Sequence, residues 1–331
     1  MRAKIAVLSF ALLAAGFGHA QAAPVTIRAG WVAIADWPAI WMAKRDLAVH
    51  DGKSYVFEPV HFVGTPPMVT AIANNQIEIG DLAFSTLPIA IENAGLDDIR
   101  VIASDFEDGV DGYLTAQFEV LKNGPIHKVE DLKGKVVATN AEGAAVDIAM
   151  KAMLYKHGLE ANRDYTEIEA PFPAMKAMLA ENKAALIPAV PPFMFDPGLK
   201  AIARTLFTSK QAIGPSQFIM LTAREPFIKA HRAALVDFLE DTLRIARWYM
   251  DPKNHGAVEA IFSQLTKQPA GHFGWAFTKQ DFYRDPNLLP DLAALQRNVD
   301  TTQELGFVKG HLDVKSHSDL SLVEEAARRL K

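Results

Sequence analysis

The chain has 331 residues, 50% of them hydrophobic and 22% charged, and a formal net charge of −5. With 39 acidic against 34 basic residues, it lacks the basic excess that nucleic acids and anionic membranes attract, so we expect no nucleic-acid partner. It has no cysteine, which excludes disulfides, thiolate catalysis and cysteine-ligated zinc or iron–sulfur centres. A chain of this length buries a large core without cross-links and suffices for two domains.

Residues 1–22 have the three parts of a secretory signal peptide. Arg2 and Lys4 provide the positive start, an apolar run continues as far as Phe17, and small residues around Ala22 suit a signal peptidase. The apolar run is too short to span a bilayer. We therefore predict cleavage near Ala22 and release of a soluble protein into the periplasm.

The first part of the mature chain alternates strands and helices. We predict strands at residues 24–30, 55–62, 77–82 and 101–103, separated by helices at 39–47, 68–74 and 87–93. This alternation favours a mostly parallel sheet covered by helices. The acidic stretch 105–112 comes next. Because its spacing does not match a calcium-binding loop, we predict a solvated loop there.

The strand–helix pattern restarts after the turn at residues 123–125. Strands are predicted at 135–139, 165–169, 185–190, 200–207 and 217–223, and helices at 143–156 and 173–180. Beyond Pro226 the sequence is mainly helical, at 230–250, 257–265, 288–305 and 320–330. A helical end without strands of its own is expected to return to the first α/β unit.

These patterns predict an α/β, two-lobed protein with two extended hinge crossovers, near residues 113–121 and 217–223. Residues 23–115 form the first part of lobe 1, residues 116–220 form lobe 2, and residues 221–331 return to lobe 1, mainly as helices. Ligands of open α/β sheets bind beyond the carboxyl ends of the strands, so we expect a ligand cleft where the two lobes face each other.

Four stretches resemble one known family. Residues 126–138 (IHKVEDLKGKVVA) are similar to its entry into the second lobe, residues 75–80 (NQIEIG) and 84–88 (FSTLP) to a strand with its ligand-side turn, and residues 173–175 (PAM) to a helix start. The family is that of the periplasmic substrate-binding proteins of ABC importers for sulfonates, taurine, nitrate and thiamine-precursor pyrimidines, the NMT1/THI5-like group. The resemblance implies the type II periplasmic-binding-protein fold and an inner-membrane ABC permease as partner. We also expect a monomer that needs neither cofactor nor metal.

Two stretches depart from the family pattern. Where members commonly show a Gly-Ser pair at a helix start, residues 140–145 (NAEGAA) have no hydroxyl and include a carboxylate. Where members commonly show Gly-Asp-Ala before a proline, residues 187–192 read IPAVPP. Both departures argue against a simple sulfonate or nitrate pocket.

Trp31, Asp36 and Trp37 follow the first predicted strand and are candidate ligand residues. Two indole rings would wall an organic ligand, and Asp36 would meet a hydrogen-bond donor or a cation. The alternative is one buried tryptophan beside a surface turn, with Asp36 capping the next helix.

Two strand-to-helix turns of the first lobe supply further candidates. Gly64 and Thr65 begin a helix whose free N–H groups suit an oxyanion, although Thr65 would serve equally as a simple cap. Ser85 and Thr86 occupy the equivalent place at the next turn, where the family resemblance implies ligand contact.

The facing turn on the second lobe contains Glu142, Gly143, Ala144 and Ala145. Backbone donors from Gly143 to Ala145 would bind an anionic group. Glu142 would meet an amine or a ring N–H, or would simply stabilise the helix start. Pro191 would add a stiff apolar wall, with a plain loop as the alternative.

The predicted function is capture of a small organic ligand by hinge closure and delivery to an ABC permease, without covalent chemistry. Because the predicted cleft turns contain no Arg or Lys, we expect an amino-sulfonate or sulfonate, a pyrimidine, or a monoanionic organic acid. Sequence motifs of serine hydrolases, phosphate loops, zinc proteases and dinucleotide-binding enzymes are missing. The alternatives are an exported, pyrimidine-related enzyme on the same fold and a ligand-loaded partner of a chemoreceptor.

Overall fold

A computed structural model describes residues 23–331 of the chain. The predicted signal peptide, residues 1–22, lies outside the described residues. Within them, the strands are β1 (Val25–Trp31), β2 (Tyr55–His61), β3 (Ile79–Ala83), β4 (Ile99–Asp108), β5 (Gln117–Leu121), β6 (Val136–Thr139), β7 (Thr166–Glu169), β8 (Ile187–Ala189), β9 (Ala203–Thr208) and β10 (Ser216–Arg224).

The α-helices of the described chain lie mostly between strands in its first two thirds and follow one another at its end. They are α1 (Trp37–Trp41), α2 (Thr65–Ala73), α3 (Thr86–Glu92), α4 (Ala145–Lys156), α5 (Met175–Ala180), α6 (Pro197–Ile202), α7 (Ser209–Ile213), α8 (Glu225–Met250), α9 (His255–Thr266), α10 (Leu292–Glu304) and α11 (Ser321–Arg329). None of the helices found between residues 23 and 331 is both long and apolar enough to cross a membrane.

The first lobe is built on a five-stranded sheet in the order β2-β1-β3-β10-β4. β1 pairs in parallel with β2 and β3, whereas β10 runs antiparallel to both of its neighbours, β3 and β4. Because β4 is also antiparallel to β10, strands β1 to β4 run in one direction, so the sheet is mostly parallel, as predicted. The exception is β10, which enters the sheet from the second lobe and lies between β3 and β4 in the reverse direction.

The second lobe contains the remaining strands. β5 pairs antiparallel with β8 and β9, and β6 pairs in parallel with β7. The two groups are joined where the Ala138 N–H donates to the Leu186 carbonyl oxygen at 2.9 Å, next to the start of β8. The predicted strand at 200–207 is shorter than expected, since α6 extends to Ile202 before β9 begins.

The chain passes between the lobes twice, through residues 109–116 and 209–215. The crossovers lie side by side: the Ser209 N–H donates to the Ala116 carbonyl at 2.8 Å, and the Lys210 N–H donates to the Thr115 hydroxyl at 3.0 Å. The crossovers were predicted too late in the chain, because those segments include strands β5 and β10. The predicted domain boundary after residue 220 likewise falls inside β10, which pairs only in the first sheet.

The helical end packs on the first lobe. The buried carboxylate of Asp241, on α8, accepts hydrogen bonds from the N–H groups of Val49 and His50, each at 2.9 Å, and from the Tyr55 hydroxyl at 2.7 Å. The Phe238 ring, on the same helix, meets the Tyr55 ring edge-on with centroids 5.6 Å apart. These contacts join α8 to the edge strand β2.

The acidic stretch 105–112 was predicted to be a solvated loop, and this prediction was wrong for residues 105–108, whereas residues 109–112 do form a turn with Asp111 exposed. Its first half belongs to β4, and Asp105 and Asp108 are completely buried. The Trp37 N–H donates to Asp105 at 3.1 Å, and the Ala116 N–H donates to Asp108 at 3.0 Å. Backbone donors from other segments thus allow strand pairing to continue through a run of acidic residues.

Candidate functional site

A cavity of about 60 Å³ lies between the two lobes. Its lining includes residues that follow β1, β2, β6 and β8 and the last residue of β3, so the carboxyl ends of strands from both lobes point towards it. This is where open α/β sheets generally bind ligands. The volume corresponds to roughly four to six water-sized groups, which limits the occupant to a small molecule.

Four phenylalanines form much of the apolar lining of the cavity, namely Phe106, Phe172, Phe218 and Phe282. Three of them stack on the first lobe: the ring centroids of Phe106 and Phe282 are 4.7 Å apart, and Phe218 lies 5.9 Å from Phe106 and 5.8 Å from Phe282. Phe172 approaches from the second lobe. Such rings offer an organic ligand a large apolar contact surface.

Two uncharged side chains at the cavity carry buried polar atoms that have no partner among the described residues. The Thr65 hydroxyl, on the first lobe, and the Asn140 side-chain oxygen, on the second, are buried and form no hydrogen bond with any described residue. A buried polar group left unpaired costs about 1–3 kcal/mol. The two atoms therefore mark a place where the polar groups of a bound molecule complete the hydrogen bonding.

The start of α4 offers backbone donors to the cavity. The N–H groups of Ala145, Val146 and Asp147 have no backbone acceptor within residues 23–331, and the first two of these residues line the cavity. The start of α2 differs, because Pro66 and Pro67 have no N–H to donate. The second lobe is therefore the main source of helix-start donors, which favour a negative or carbonyl oxygen.

Asp36 is the charged side chain among the described residues that line the cavity, and it is 3% exposed. Its Oδ2 atom accepts hydrogen bonds from the N–H groups of Val32 and Ala33, both at 2.8 Å, which shapes the loop after β1. Its Oδ1 atom has no hydrogen bond to a described residue. Burial, reinforced by the charge of Asp105, raises the pKa of Asp36 to about 7, against the effect of the backbone bonds and of Arg284.

Behind Asp36 lies a buried cluster of acidic groups. Asp36, Asp81 and Asp105 each place an oxygen within 4.8 Å of the others. Burial raises the pKa of Asp105 to about 6 and that of Asp81 well above its ordinary value, and the neighbouring carboxylates add to the rise for Asp81. The Arg284 guanidinium provides the opposite charge, with Nε 4.0 Å from Asp105 and Nη1 3.0 Å from Asp281.

Arg284 was missed by the sequence analysis. Its guanidinium is buried over the rings of Trp37, at 5.4 Å, and Phe277, at 4.7 Å, and donates to the Ala35 carbonyl at 3.0 Å. It belongs to the irregular segment between α9 and α10, where no periodicity or motif distinguishes one arginine from another. Its role is to hold the loop that carries Asp36.

The structure separates the three candidates that follow the first strand. Asp36 lines the cavity, but neither indole does. Trp37 is 1% exposed and stacks on Phe277 with centroids 5.5 Å apart, while Trp31 is half-buried against His61 at 4.4 Å. The two indoles therefore do not form the expected walls of this cavity. The loop turns back at Asp36 and directs Trp37 into the core of the first lobe.

The two lobes touch directly beside the cavity. The buried Ser85 hydroxyl donates to the Gly143 carbonyl of the opposite lobe at 2.7 Å. At Gly64 the backbones approach so closely that an added Cβ would lie 2.8 Å from the Ala141 Cβ. The cleft is closed in this structure, and Gly64, Ser85 and Gly143, predicted to bind ligand, contact the other lobe.

The remaining predicted residues divide between the cavity and its surroundings. Thr65, Ala144, Ala145 and Pro191 line the cavity. The Thr86 hydroxyl donates to a carbonyl of its own turn at 2.9 Å, and the Glu142 side chain is 70% exposed beside Lys151. Ligand contact by the residues that line the cavity stays a prediction.

A model of the NMT1-like family matches residues 20–263 of the chain. No curated protein matches this chain. Among solved structures, the alkanesulfonate-binding protein SsuA of Xanthomonas axonopodis, bound to MOPS, is 15% identical with a TM-score of 0.70, over 90% of this chain and 99% of that one. The periplasmic nitrate-binding protein NrtA of Synechocystis is also 15% identical, with a TM-score of 0.71 over 93% and 89% of the two chains.

A third similar structure is that of an enzyme. The desulfurization enzyme DszB is 11% identical, with a TM-score of 0.66 over 93% of this chain and 100% of that one. At such identities the likeness shows the fold alone, a mixed α/β, two-lobed periplasmic-binding-protein fold. The predicted fold class and the predicted family are both confirmed.

Proposed function

The chain belongs to the NMT1-like family, and we propose that it is the solute-binding component of an ABC importer. It captures a small organic molecule between its lobes and presents it to an inner-membrane permease, as a monomer. The signal-peptide pattern of residues 1–22 and the periplasmic location of the similar nitrate-binding protein support the periplasm as its compartment.

The observation that carries the proposal is the apolar cavity between the lobes, with polar groups on both of its walls that have no partner among the described residues. Thr65 belongs to the first lobe and Asn140 to the second. A ligand that bonds to both connects the lobes, so its binding energy favours the closed form over the open one. Two adjacent crossovers are the elements about which such a closure turns.

The lining also supports the predicted ligand candidates: an amino-sulfonate or sulfonate, a pyrimidine, or a monoanionic organic acid. The phenylalanines pack against an organic body, and the N–H groups of Ala145 and Val146 bind an oxygen at one end of it. Since no Arg or Lys from the described chain lines the cavity, a dianion would lose its hydration without gaining a counter-charge.

Catalysis is the second candidate, favoured by the likeness to DszB. The polar side chains that line the cavity are Asp36, Thr65 and Asn140, and no hydrogen bond joins any two of them. A nucleophile activated by a base would need such a bond. The absence of cysteine from the sequence also removes thiolate chemistry. Binding without turnover is the function that the geometry supports best.

The test is identification of the molecule that the protein carries. We expect native mass spectrometry of protein purified from the periplasm to detect one small molecule per chain, released on denaturation. Calorimetry with that molecule should give one site, and prolonged incubation should return it unchanged. A converted product would support an enzyme, and failure to bind any small molecule would contradict the proposal.

A further inference from the structure

We propose that Asp36 selects ligands that carry a hydrogen-bond donor, either a protonated amine or a ring N–H, and that sulfonates without such a donor, and nitrate, are poor ligands of this cavity. The inference rests on the proposed function and narrows the ligand class of the same site. It separates this chain from SsuA and NrtA, which are named for alkanesulfonate and nitrate.

The first argument comes from the side-chain oxygens that lack a partner. Asp36 faces the cavity, and its Oδ1 atom has no hydrogen bond to a residue between 23 and 331, because both of the bonds it accepts there use Oδ2. A carboxylate oxygen only accepts hydrogen bonds. A ligand that also only accepts would leave this oxygen unpaired and would bring its own negative oxygens against a buried carboxylate. An amine or N–H group satisfies it.

The second argument comes from the charges behind Asp36. Asp81 and Asp105 lie beside it, so the side chains that surround Asp36 at this end of the cavity are mainly acidic. The cation of the cluster, Arg284, does not line the cavity, and its Nη1 and Nη2 groups are committed to Asp281 and to the Ala35 carbonyl, each at 3.0 Å. Arg284 is therefore not available to bind the anionic group of a ligand, whereas Asp36 is available to bind a cationic one.

The opposite wall completes the ligand description. The N–H groups of Ala145 and Val146 at the start of α4 favour an oxygen acceptor. The ligand that fits both walls is thus a small molecule with an N–H donor at its first-lobe end and an oxygen or ring acceptor at its second-lobe end.

The structural role of Asp36 can be separated from ligand selection. Its Oδ2 atom holds the loop after β1, and the side-chain oxygen of an asparagine can accept the same two bonds. Asp36→Asn therefore keeps the loop and turns the free acceptor into an NH2 donor. Asp131, on the second lobe away from the cavity, offers a matched control: its Oδ2 accepts the N–H groups of His127 and Lys128, at 2.8 and 3.0 Å, in the same spacing.

The experiment uses the mature protein, freed of bound ligand, with pairs of probes that differ by one amine: taurine with ethanesulfonate, β-alanine with propionate, and 4-aminopyrimidine with pyrimidine. The molecule identified by native mass spectrometry is tested beside them. We expect calorimetry at pH 8 to give at least about tenfold tighter binding for the amine member of any pair that binds. Asp36→Asn should abolish that preference, and Asp131→Asn should retain it.

Each outcome of the experiment decides a different question. Equal or tighter binding of the probe without an amine overturns the inference and leaves the proposed function standing. Unchanged amine preference in a folded Asp36→Asn variant also overturns the assignment to Asp36. If no probe binds and no ligand co-purifies, the proposed function fails, and the inference with it. The comparison of probes on the unaltered protein is decisive even where a variant does not fold.

Discussion

The two walls of the cleft bury polar groups in different ways. The first-lobe wall contains Asp36, Asp81 and Asp105 with Arg284, a cluster of charges held together inside the lobe. The second-lobe wall presents uncharged groups, the Asn140 amide and the N–H groups at the start of α4. Arg284 lies beside the acidic groups inside the first lobe, whereas the Asp36 Oδ1 atom and the Thr65 hydroxyl at the surface of that wall, like the groups of the second wall, have no partner among the described residues.

Because of this difference, we expect substitutions in the two walls to affect different properties, stability or ligand affinity. Disturbing a buried charge cluster leaves ions without partners, so changes to Asp105 or Arg284, which lie behind the first wall and do not line the cavity, should reduce mainly the free energy of unfolding. Disturbing groups that are paired only when the cleft is occupied should reduce mainly ligand affinity. Variants that fail to divide in this way would show that the walls are not independent.

Arg284→Met should have the largest effect. It leaves the carboxylates of Asp105 and Asp281 without their cation, and removal of one partner from a buried ion pair costs about 3–5 kcal/mol. Urea denaturation at pH 8 measures the loss, which should shrink at pH 5 because the carboxyl groups then take up protons.

The control is Arg224→Met, which breaks a half-exposed ion pair with Asp98. Its loss of unfolding free energy should lie within the range of about 0–1 kcal/mol that is typical of surface ion pairs. Equal losses of unfolding free energy for Arg284→Met and Arg224→Met would refute the distinction between a buried and a half-exposed ion pair.

Trp37→Ala should come next, with a loss of about 3 kcal/mol in the free energy of unfolding, because a buried aromatic ring is replaced by a cavity. Thermal or urea unfolding measures it. Phe172→Ala, which changes the second-lobe lining of the cavity, should instead lower ligand affinity with a smaller loss of stability. A Trp37→Ala variant of unaltered stability that no longer binds ligand would place the indole in the site after all.

The acidic groups of β4 and its neighbours predict that the free energy of unfolding falls as the pH rises from 5 to 8. Burial raises the pKa of Asp36 and of Asp108 to about 7, from an ordinary value of 3.8. The folded state therefore retains protons that the unfolded chain has lost, and the resulting stabilisation, full below pH 3.8, disappears as the pH passes through about 7. Asp108→Asn should remove on the order of 2 kcal/mol of this decline.

The measurement is urea denaturation at several pH values. Asp131→Asn provides the control, because backbone N–H groups of His127 and Lys128 lower the pKa of Asp131, so its replacement should leave the slope between pH 5 and 8 unchanged. A flat profile for the unaltered protein would contradict the raised pKa values of Asp36 and Asp108 on which this prediction rests.

Ser85→Ala should have the smallest effect, a loss of about 1 kcal/mol in ligand affinity. The hydroxyl bonds to the Gly143 carbonyl across the cleft, so its loss weakens closure rather than a direct ligand contact. Calorimetry gives the affinity, and small-angle scattering gives the fraction of closed molecules. Thr86→Ala is the matched control, since that hydroxyl bonds within its own lobe. Equal losses of ligand affinity for Ser85→Ala and Thr86→Ala would show that the hydrogen bond between the lobes has no special role in closure.

Part of the site could be predicted because it depends on local sequence order. Thr65 follows β2, Asp36 follows β1, and Ala144 and Ala145 follow β6; a residue placed just after a parallel strand lies at the ligand-binding edge of its sheet whatever the remaining topology. The indoles could not be assigned in the same way. Trp31 and Trp37 lie close to Asp36 in sequence, but the direction of each side chain depends on how the loop turns.

The sequence by itself determined the α/β class, the family, and the turns that approach the cleft, because strand periodicity, glycine and proline signals and family motifs are local properties. Only the tertiary structure decided that β10 enters the first sheet between β3 and β4, that Asp105 is buried, and that Arg284 lies beside it. These features join segments far apart in the chain. The local sequence does not distinguish a buried aspartate from a surface aspartate. What distinguishes them is the long-range partner that compensates for the loss of hydration.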